Sequence, residues 1–236
     1  PGWRSRVSGT DPFTPPPPPP HPLIELMSQP QAPFSVNGPQ MTTPADEARP
    51  GAREVAIYAG RMALAGLLFN CQPSEPYLTA YLKNDKGLTS DTLDASVWPW
   101  NTYSAVPWLL LVALMADIAG PWPVLLLGAL LRLATRNLLL FASGVPAMAA
   151  AQVTYAGASA VNTIYFAYVY IAVPRKHYAA VTGIVHAAWH AGNLVGSAAG
   201  QAYVSAHGGV HHAPLAHLFY ASLLFTSCGT ASLFLL

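Results

Sequence analysis

The chain has 236 residues, of which 53% are hydrophobic and only 9% are charged. Soluble domains carry about 25% charged residues, because their surfaces face water. Residues 177–236 contain no Asp, Glu, Lys or Arg, and a bilayer can solvate such a stretch whereas water cannot. The composition therefore excludes an ordinary soluble domain and predicts an all-α polytopic membrane protein.

No feature of the sequence points to nucleic acid or to catalysis. The net charge is +1, without a basic stripe, so we expect no nucleic-acid partner. The sequence contains no Walker-type loop, no nucleophile-elbow pattern and no Cys/His cluster with zinc spacing, so we expect no enzyme, no cofactor and no bound metal. Cys71 and Cys228 fall in apolar segments, where cysteine usually packs as a small hydrophobic residue.

Residues 1–53 differ in composition from the rest of the chain. Fourteen of the first 50 residues are proline, including the run at residues 15–20. Such a segment buries too little apolar surface to offset its ordering entropy, and we expect a disordered tail. The proline run is of the kind that SH3 or WW domains bind, and a solvated tail without a partner is the preferred alternative.

The remaining residues, 54–236, are predicted to form one transmembrane domain. A helix needs roughly 20 apolar residues to cross the hydrocarbon core, and six segments meet that requirement. They are residues 54–82, 98–118, 121–141, 146–173, 178–205 and 215–236. Their short connections predict an antiparallel bundle within the lipid bilayer.

Basic residues suggest the orientation of this bundle. With the N-terminus inside, the cytoplasmic basic residues are Arg49, Arg53, Arg175 and Lys176. This distribution favours a cytoplasmic N-terminus. Because the sequence begins with proline and stops within the sixth predicted helix, we expect it to be truncated at both ends.

A polar motif interrupts the first predicted helix. Glu75 lies between Pro73 and Pro76, and each proline removes an amide donor from the helix. Broken helices near the membrane midplane often form transporter binding sites, and this is the interpretation we favour. The alternative is a kink near the outer surface, where Glu75 is merely solvated.

Polar side chains recur at helical spacing in the fourth predicted helix, at Gln152, Tyr155, Ser159, Asn162 and Tyr165. Such a stripe can line a translocation path, because tyrosines stack on planar ligands and amides hydrogen-bond them. Hydrogen bonding between helices is the alternative explanation.

Two further pairs of side chains lie four residues apart on single helices. His186 and His190 share a face of the fifth predicted helix, where we expect polar lining that titrates near neutral pH rather than a metal site. Arg132 and Arg136 share a face of the third. They either bind an anionic substrate or pair with Glu75 or Asp117, and Arg132 could also extend toward an interface.

Glycines follow small-xxx-small spacing in the fifth predicted helix, at Gly192, Gly196 and Gly200. This spacing lets neighbouring helices approach closely. We interpret these glycines as packing residues rather than as part of a binding site.

Several ordered motifs resemble the reduced folate carrier and thiamine transporter family, within the major facilitator superfamily. Residues 115–120 resemble the superfamily signature between helices two and three, although Pro121 and Trp122 stand where an arginine is usual. The motifs similar to the family itself are residues 72–82, 102–104, 123–128, 164–170, 177–178, 181–183, 196–197 and 200–201, with Asp117 thirteen residues after Ser104.

The resemblance implies a six-helix N-terminal half of a major facilitator fold. It also implies alternating-access transport of a small-molecule vitamin across the plasma membrane. By position, the substrate-binding residues would be Glu75, Asn101, Tyr103, Asn162 and Tyr165. The gating or structural residues would be Pro73, Pro76, Asp117 and His186.

Two positions depart from the family pattern in ways that bear on the substrate. Asn162 stands where thiamine transporters have an acidic residue and the folate carrier an arginine, and Asn101 stands where thiamine transporters have a tryptophan. The residues around Glu75 look more like the thiamine branch, so thiamine is favoured and reduced folate comes next. The rival hypothesis is a transport-inactive scaffold or receptor-like protein that uses its proline-rich tail.

Overall fold

The structure is a computed structural model, and it describes residues 52–234. All regular elements within these residues are helical, which confirms the predicted all-α class. The α-helices that position the site are α1 (Ala52–Asn70), α2 (Leu78–Asn84), α3 (Pro99–Ala119), α4 (Pro121–Phe141), α5 (Val145–Ala172), α6 (Tyr178–Ala206) and α7 (Ala216–Leu233). Shorter helical segments at Glu75–Tyr77, Ser90–Thr92, Leu93–Val97 and Arg175–His177 lie in the connections.

The first predicted helix, residues 54–82, is divided into α1 and α2 by the proline motif. After α1 ends, a single 3₁₀ turn forms at Glu75–Tyr77 before α2 begins. Pro73 has no amide hydrogen to donate to the Phe69 carbonyl, and the side-chain amide of Gln72 donates to that carbonyl instead. The sequence thus supplies a side-chain donor for a backbone group that the proline leaves without one.

Glycine and proline set the tight connections on either side of α4. Gly120 has a φ of 82° and Gly144 a φ of 89°, a conformation that glycine adopts without steric cost. Pro121 and Pro146 occupy the first turns of α4 and α5. Amides in the first turn have no acceptor within the helix, so proline costs no hydrogen bond there. Consecutive helices therefore reverse direction within a few residues.

The long helices pack in a defined order. α4 packs against α5 and α7, and α1 packs against α6 and α7. α3 packs mainly against α5 and leaves a broad apolar face exposed, including Leu110, Leu114 and Ile118. α3 is therefore an outer helix, and the other long helices enclose the bundle interior.

The interior contains two large apolar clusters with a polar region between them. One cluster contains Phe219, which stacks on Tyr81 at 4.0 Å between ring centroids, and the other contains Met62 and Val185. Along α4, along α5 and along the chain from α1 to α2, buried polar residues fall between the residues of the two clusters. We call the following buried residues the polar layer: Asn70, Gln72, Ser74, Thr135, Arg136, Gln152, Ser222 and Thr226.

The glycines of α6 lie directly against α1 and the broken segment that follows it. A Cβ atom on Gly196 would lie 2.5 Å from the amide nitrogen of Gln72, and one on Gly192 or Gly200 would overlap the carbonyl oxygen of Leu67 or Pro73. Only glycine allows this approach of two backbones.

A lysine ties the connection after α2 to the end of α4. The Lys86 ammonium donates to the carbonyl oxygens of Leu140, at 2.9 Å, and Ala142, at 2.7 Å. A cation is favourable at the C-terminus of a helix, where carbonyl oxygens lack partners. Burial lowers the pKa of Lys86 from its ordinary value, although the neighbouring Asp85 carboxylate acts in the opposite direction.

Two helical segments of the described chain are long and apolar enough to cross a membrane by length and composition. They are Ser90–Ala119, with 30 residues and a mean hydropathy of 1.6, and Pro121–Phe141, with 21 residues and a mean hydropathy of 1.7. The sequence predicts six spans. Of the other long helices, α1 contains Arg53, Glu54 and Arg61, whereas α5, α6 and α7 contain more Ser, Thr, Tyr, His and Gly, and these residues lower the mean hydropathy.

Candidate functional site

A partly buried ion pair joins the broken segment after α1 to α4. The Arg136 guanidinium lies 3.0 Å from Oε2 of Glu75, and the arginine side chain is 4% exposed. The same guanidinium donates to the side-chain oxygen of Gln72, and the Tyr155 hydroxyl donates to Oε1 of Glu75 at 3.2 Å. Both carboxylate oxygens therefore have partners, and of the roles left open for Arg136 the structure supports pairing with Glu75.

Two serines complete the hydrogen bonding of the broken segment. The Ser222 hydroxyl of α7 accepts a bond from the Ser74 amide at 3.2 Å and donates to the Ser74 hydroxyl at 2.8 Å. Both side chains are fully buried. Because an unpaired buried amide is costly, α7 stabilises the unwound backbone that presents Glu75.

A cleft of about 190 Å³ opens beside the ion pair. Glu75 lines it, and the Glu75 side chain remains 35% exposed. The other residues of the lining are Leu78, Trp98, Asn101, Thr135, Arg136, Leu139, Gln152 and Tyr155. The cleft thus offers a carboxylate, a guanidinium and amides at the level between the two apolar clusters.

Arg132 lies one turn before Arg136 on α4, in different surroundings. Its guanidinium donates to the side-chain oxygen of Asn162 on α5. It also lies over the rings of Phe69, at 5.3 Å from the centroid, and Trp189, at 5.6 Å. Within residues 52–234 no carboxylate forms an ion pair with Arg132. These four side chains line a second, smaller cavity together with Tyr165.

The Tyr165 hydroxyl is directed to the backbone of α1. It donates to the carbonyl oxygen of Met62, and the side chain is 4% exposed. Its ring packs against Trp189, with 5.4 Å between centroids. Tyr165 and Asn162 therefore lie beside Arg132, whereas Glu75 and Asn101 line the other cleft.

The structure places the other predicted site residues apart from these two cavities. Tyr103 is 71% exposed and lines a groove between α3 and α5 with Trp100. Asp117 is exposed near the end of α3. Pro73 is buried beside Gly200 of α6, whereas Pro76 is exposed.

The two histidines of α6 lie in different surroundings. His186 stacks flat on Phe166 at 4.0 Å between ring centroids, and His190 is exposed. Across the described part of the chain, no group of three His, Cys, Asp or Glu side chains could hold a metal ion.

Sequence reasoning left several contacting residues out of the predicted site. Gln72 lies in a family motif and Tyr155 lies in the polar stripe of the fourth predicted helix, but nothing in their spacing shows that they meet Glu75 or its arginine. Phe69 and Trp189 resemble ordinary core aromatics in sequence. Ser222 is a serine in an apolar helix and gives no signal at all, since its partner lies 148 residues away.

Comparison with known proteins gives a consistent result. Residues 59–236 match the sequence profile described as reduced folate carrier. The chain is 35% identical over 147 residues to folate transporter 1 of Caenorhabditis elegans, and the alignment covers 62% of this chain and 32% of that protein. It is 34% identical over 145 residues to human thiamine transporter 2, covering 61% of this chain and 29% of that protein. It is 37% identical over 141 residues to thiamine transporter 1 of Mus musculus, and the alignment covers 59% of this chain and 28% of that protein.

The aligned region is about a third of the length of these relatives. The profile match covers most of the chain and confirms the resemblance found in the motifs. The chain belongs to the reduced folate carrier family.

Proposed function

We propose that the chain is the N-terminal six-helix half of a major facilitator carrier that moves a vitamin across the plasma membrane. The observation that carries this proposal is the cleft beside the Glu75–Arg136 ion pair, in a family whose relatives are named folate and thiamine transporters. The N-terminus is placed in the cytoplasm, as the basic residues suggest.

The position of the charged pair supports a transport role. Charged groups within a membrane are costly, and they usually face a bundle interior or a cavity that serves substrates or ions. Arg136 and Glu75 meet this description, because they lie between two apolar clusters and line an open cleft. Broken helices at this depth are a recurring way to build such a site.

The cleft is smaller than the roughly 300–1,000 Å³ of typical ligand pockets, since its volume is about 190 Å³. A second half packed against this one would enlarge and close it. In that arrangement Glu75 and Asn101 contact the vitamin in the cleft, Asn162 and Tyr165 contact it from the smaller cavity, and Tyr103 reaches it from the face of α3. Alternating access then requires the two halves to rock about the site.

Thiamine and reduced folate are the two substrates to compare. Thiamine is favoured by the resemblance of the residues around Glu75 to the thiamine branch, and a carboxylate attracts a cation. The structure pairs that carboxylate with Arg136, so Glu75 does not present an uncompensated negative charge. Its partly exposed side chain still offers hydrogen-bond acceptors to either vitamin.

The test is uptake of labelled thiamine and labelled reduced folate by cells that express the full-length protein. We expect saturable uptake of one or both vitamins, reduced about tenfold or more by Glu75→Gln, because a charge-assisted hydrogen bond contributes about 1.5–3 kcal/mol. Asn137→Ala is the matched control, since Asn137 is exposed on α4 and, among the described residues, its side chain bonds only to the Leu133 carbonyl of its own helix.

Absence of uptake of both vitamins, with normal amounts of protein at the cell surface, would contradict the proposal and favour the transport-inactive scaffold. A second test uses liposomes that contain residues 1–236 alone. We expect no uptake, because one half cannot alternate access, and measurable uptake by this fragment would count against a two-half carrier.

A further inference from the structure

The polar layer and its border contain two cations and one anion. Arg132 and Arg136 both lie on α4, and Glu75 pairs with Arg136. The neighbouring helices α5, α6 and α7 contain no Asp, Glu, Lys or Arg. Among the described residues, one positive charge at this depth therefore has no negative partner.

Arg132 has hydrogen-bond donors to spare. A guanidinium presents five N–H donors and cannot lose its charge in a protein. Within residues 52–234, Arg132 makes one side-chain hydrogen bond, to Asn162. The side chain is only partly buried, and the cavity beside it, about 20 Å³ in volume, has room for one water-sized group such as a carboxylate oxygen.

The surroundings of Arg132 hold its guanidinium in place. Phe69 from α1 and Trp189 from α6 lie beside it at 5.3 and 5.6 Å, and Asn162 bonds it from α5. Contacts from three helices fix the position of the group before a ligand binds. A fixed guanidinium suits a carboxylate, because the two groups can form two parallel hydrogen bonds.

We propose that Arg132 binds a carboxylate of the carried vitamin and so makes the carrier prefer an anionic vitamin over a cationic one. This inference rests on the proposed transport function. Of the roles that the sequence left open for Arg132, it selects the binding of an anionic substrate. The neighbouring Glu75–Arg136 pair, which is neutral overall, shapes the cleft without setting its charge preference.

The test compares initial uptake rates of labelled reduced folate and labelled thiamine over a range of concentrations, in cells that express the full-length protein. The variants are Arg132→Gln, Arg132→Lys and the control Asn137→Ala, each normalised to its amount at the cell surface. We expect Arg132→Gln to raise the KM for reduced folate about tenfold or more, as expected for loss of a charge-assisted hydrogen bond. Arg132→Lys should restore part of the affinity, and Asn137→Ala should have no effect.

A merely structural arginine gives a different result. Arg132→Gln would then lower the surface amount or the maximal rate for both vitamins and leave the KM for reduced folate unchanged, which would overturn the proposal. A measurement on the wild-type protein avoids any folding defect of the variants. Reduced folate whose carboxylates are converted to amides should compete about tenfold or more weakly than the free acid, and equal competition would overturn the proposal.

The outcomes also separate this inference from the proposed function. Uptake of thiamine alone by the wild-type protein would leave the transport function standing and would overturn the role of Arg132. Uptake of neither vitamin would remove both. Uptake of reduced folate with the expected change in KM would support both.

Discussion

Two arginines that lie one turn apart on α4 have opposite surroundings. Arg136 meets a carboxylate and the side-chain oxygen of Gln72, both from the broken segment after α1. Arg132 meets the amide of Asn162 and two aromatic rings. The residue type and the helix are the same, so the difference comes from the elements that face them.

The proline motif explains which arginine is neutralised. At the level of Arg132, α1 is still helical and presents the ring of Phe69. Arg136 lies four residues farther along α4. At its level α1 has already ended, and the unwound chain directs Gln72 and Glu75 at the Arg136 guanidinium. The break in α1 thus places the Glu75–Arg136 ion pair next to an arginine that forms no ion pair within residues 52–234.

The largest loss of stability is expected when the Glu75–Arg136 ion pair is removed. Arg136→Met leaves Glu75 without its cation, and breaking a buried pair usually costs 3–5 kcal/mol. Because Glu75 is partly exposed, we expect the free energy of unfolding to fall by about 3 kcal/mol, the low end of this range. The thermal midpoint of the purified full-length protein in detergent should fall by a few degrees.

The double variant Arg136→Met/Glu75→Gln serves as the control for this prediction. It removes both charges together, so that neither Glu75 nor Arg136 leaves an unpaired charge. The decrease in thermal midpoint should therefore be less than half of that of Arg136→Met. A double variant as unstable as Arg136→Met alone would mean that the two groups are not coupled in the way the geometry indicates.

The next effect is expected when the Arg132 region is made to resemble the Arg136 region. Asn162→Glu places a carboxylate beside the Arg132 guanidinium and cancels its charge. We expect reduced folate uptake to fall about tenfold or more, since the charge-assisted bond to the substrate is lost. The ratio of thiamine to folate uptake should rise.

Asn162→Gln is the matched control for that change, because it lengthens the side chain without adding charge. It should alter the uptake ratio by less than about threefold, which is under 1 kcal/mol. Equal effects of Asn162→Glu and Asn162→Gln would show that the size of this side chain matters rather than its charge.

The smallest effect is expected for the stability of Arg132→Gln. The variant loses two cation–π contacts of about 0.5–1 kcal/mol each, and it also removes a cation without a charged partner, which offsets part of that loss. We expect a net loss of about 1 kcal/mol or less. In the detergent assay, a midpoint as low as that of Arg136→Met would refute the contrast between the two arginines.

The sequence predicts the helical class and the break in the first helix for clear physical reasons. A 60-residue stretch without charge requires a bilayer, and two prolines three residues apart cannot continue a helix. The family could also be recognised from the motifs. These features depend on local composition and order, which the sequence contains directly.

The partners of the two arginines could not be predicted in the same way. Helical spacing places Arg132 and Arg136 on one face of α4, but it does not say which residue of α1 lies opposite each of them. That depends on how far α1 unwinds and on how closely the α6 glycines let it approach. The polar residues of α5 likewise have different partners, since the Tyr155 hydroxyl bonds to Glu75 whereas the Tyr165 hydroxyl bonds to the backbone of α1.

The glycine contacts of α6 with the broken segment also bear on how the protein is made. Tyr77 in the break bonds to Gln201 of α6, which lies 124 residues later in the chain. At 5–20 residues per second, α6 is synthesised roughly 6–25 seconds after the break. During that interval the unwound backbone lacks the helix that covers it. The assembly of this site is therefore a late step of membrane insertion, and a ribosome that stalls before α6 leaves the polar segment uncovered within the membrane.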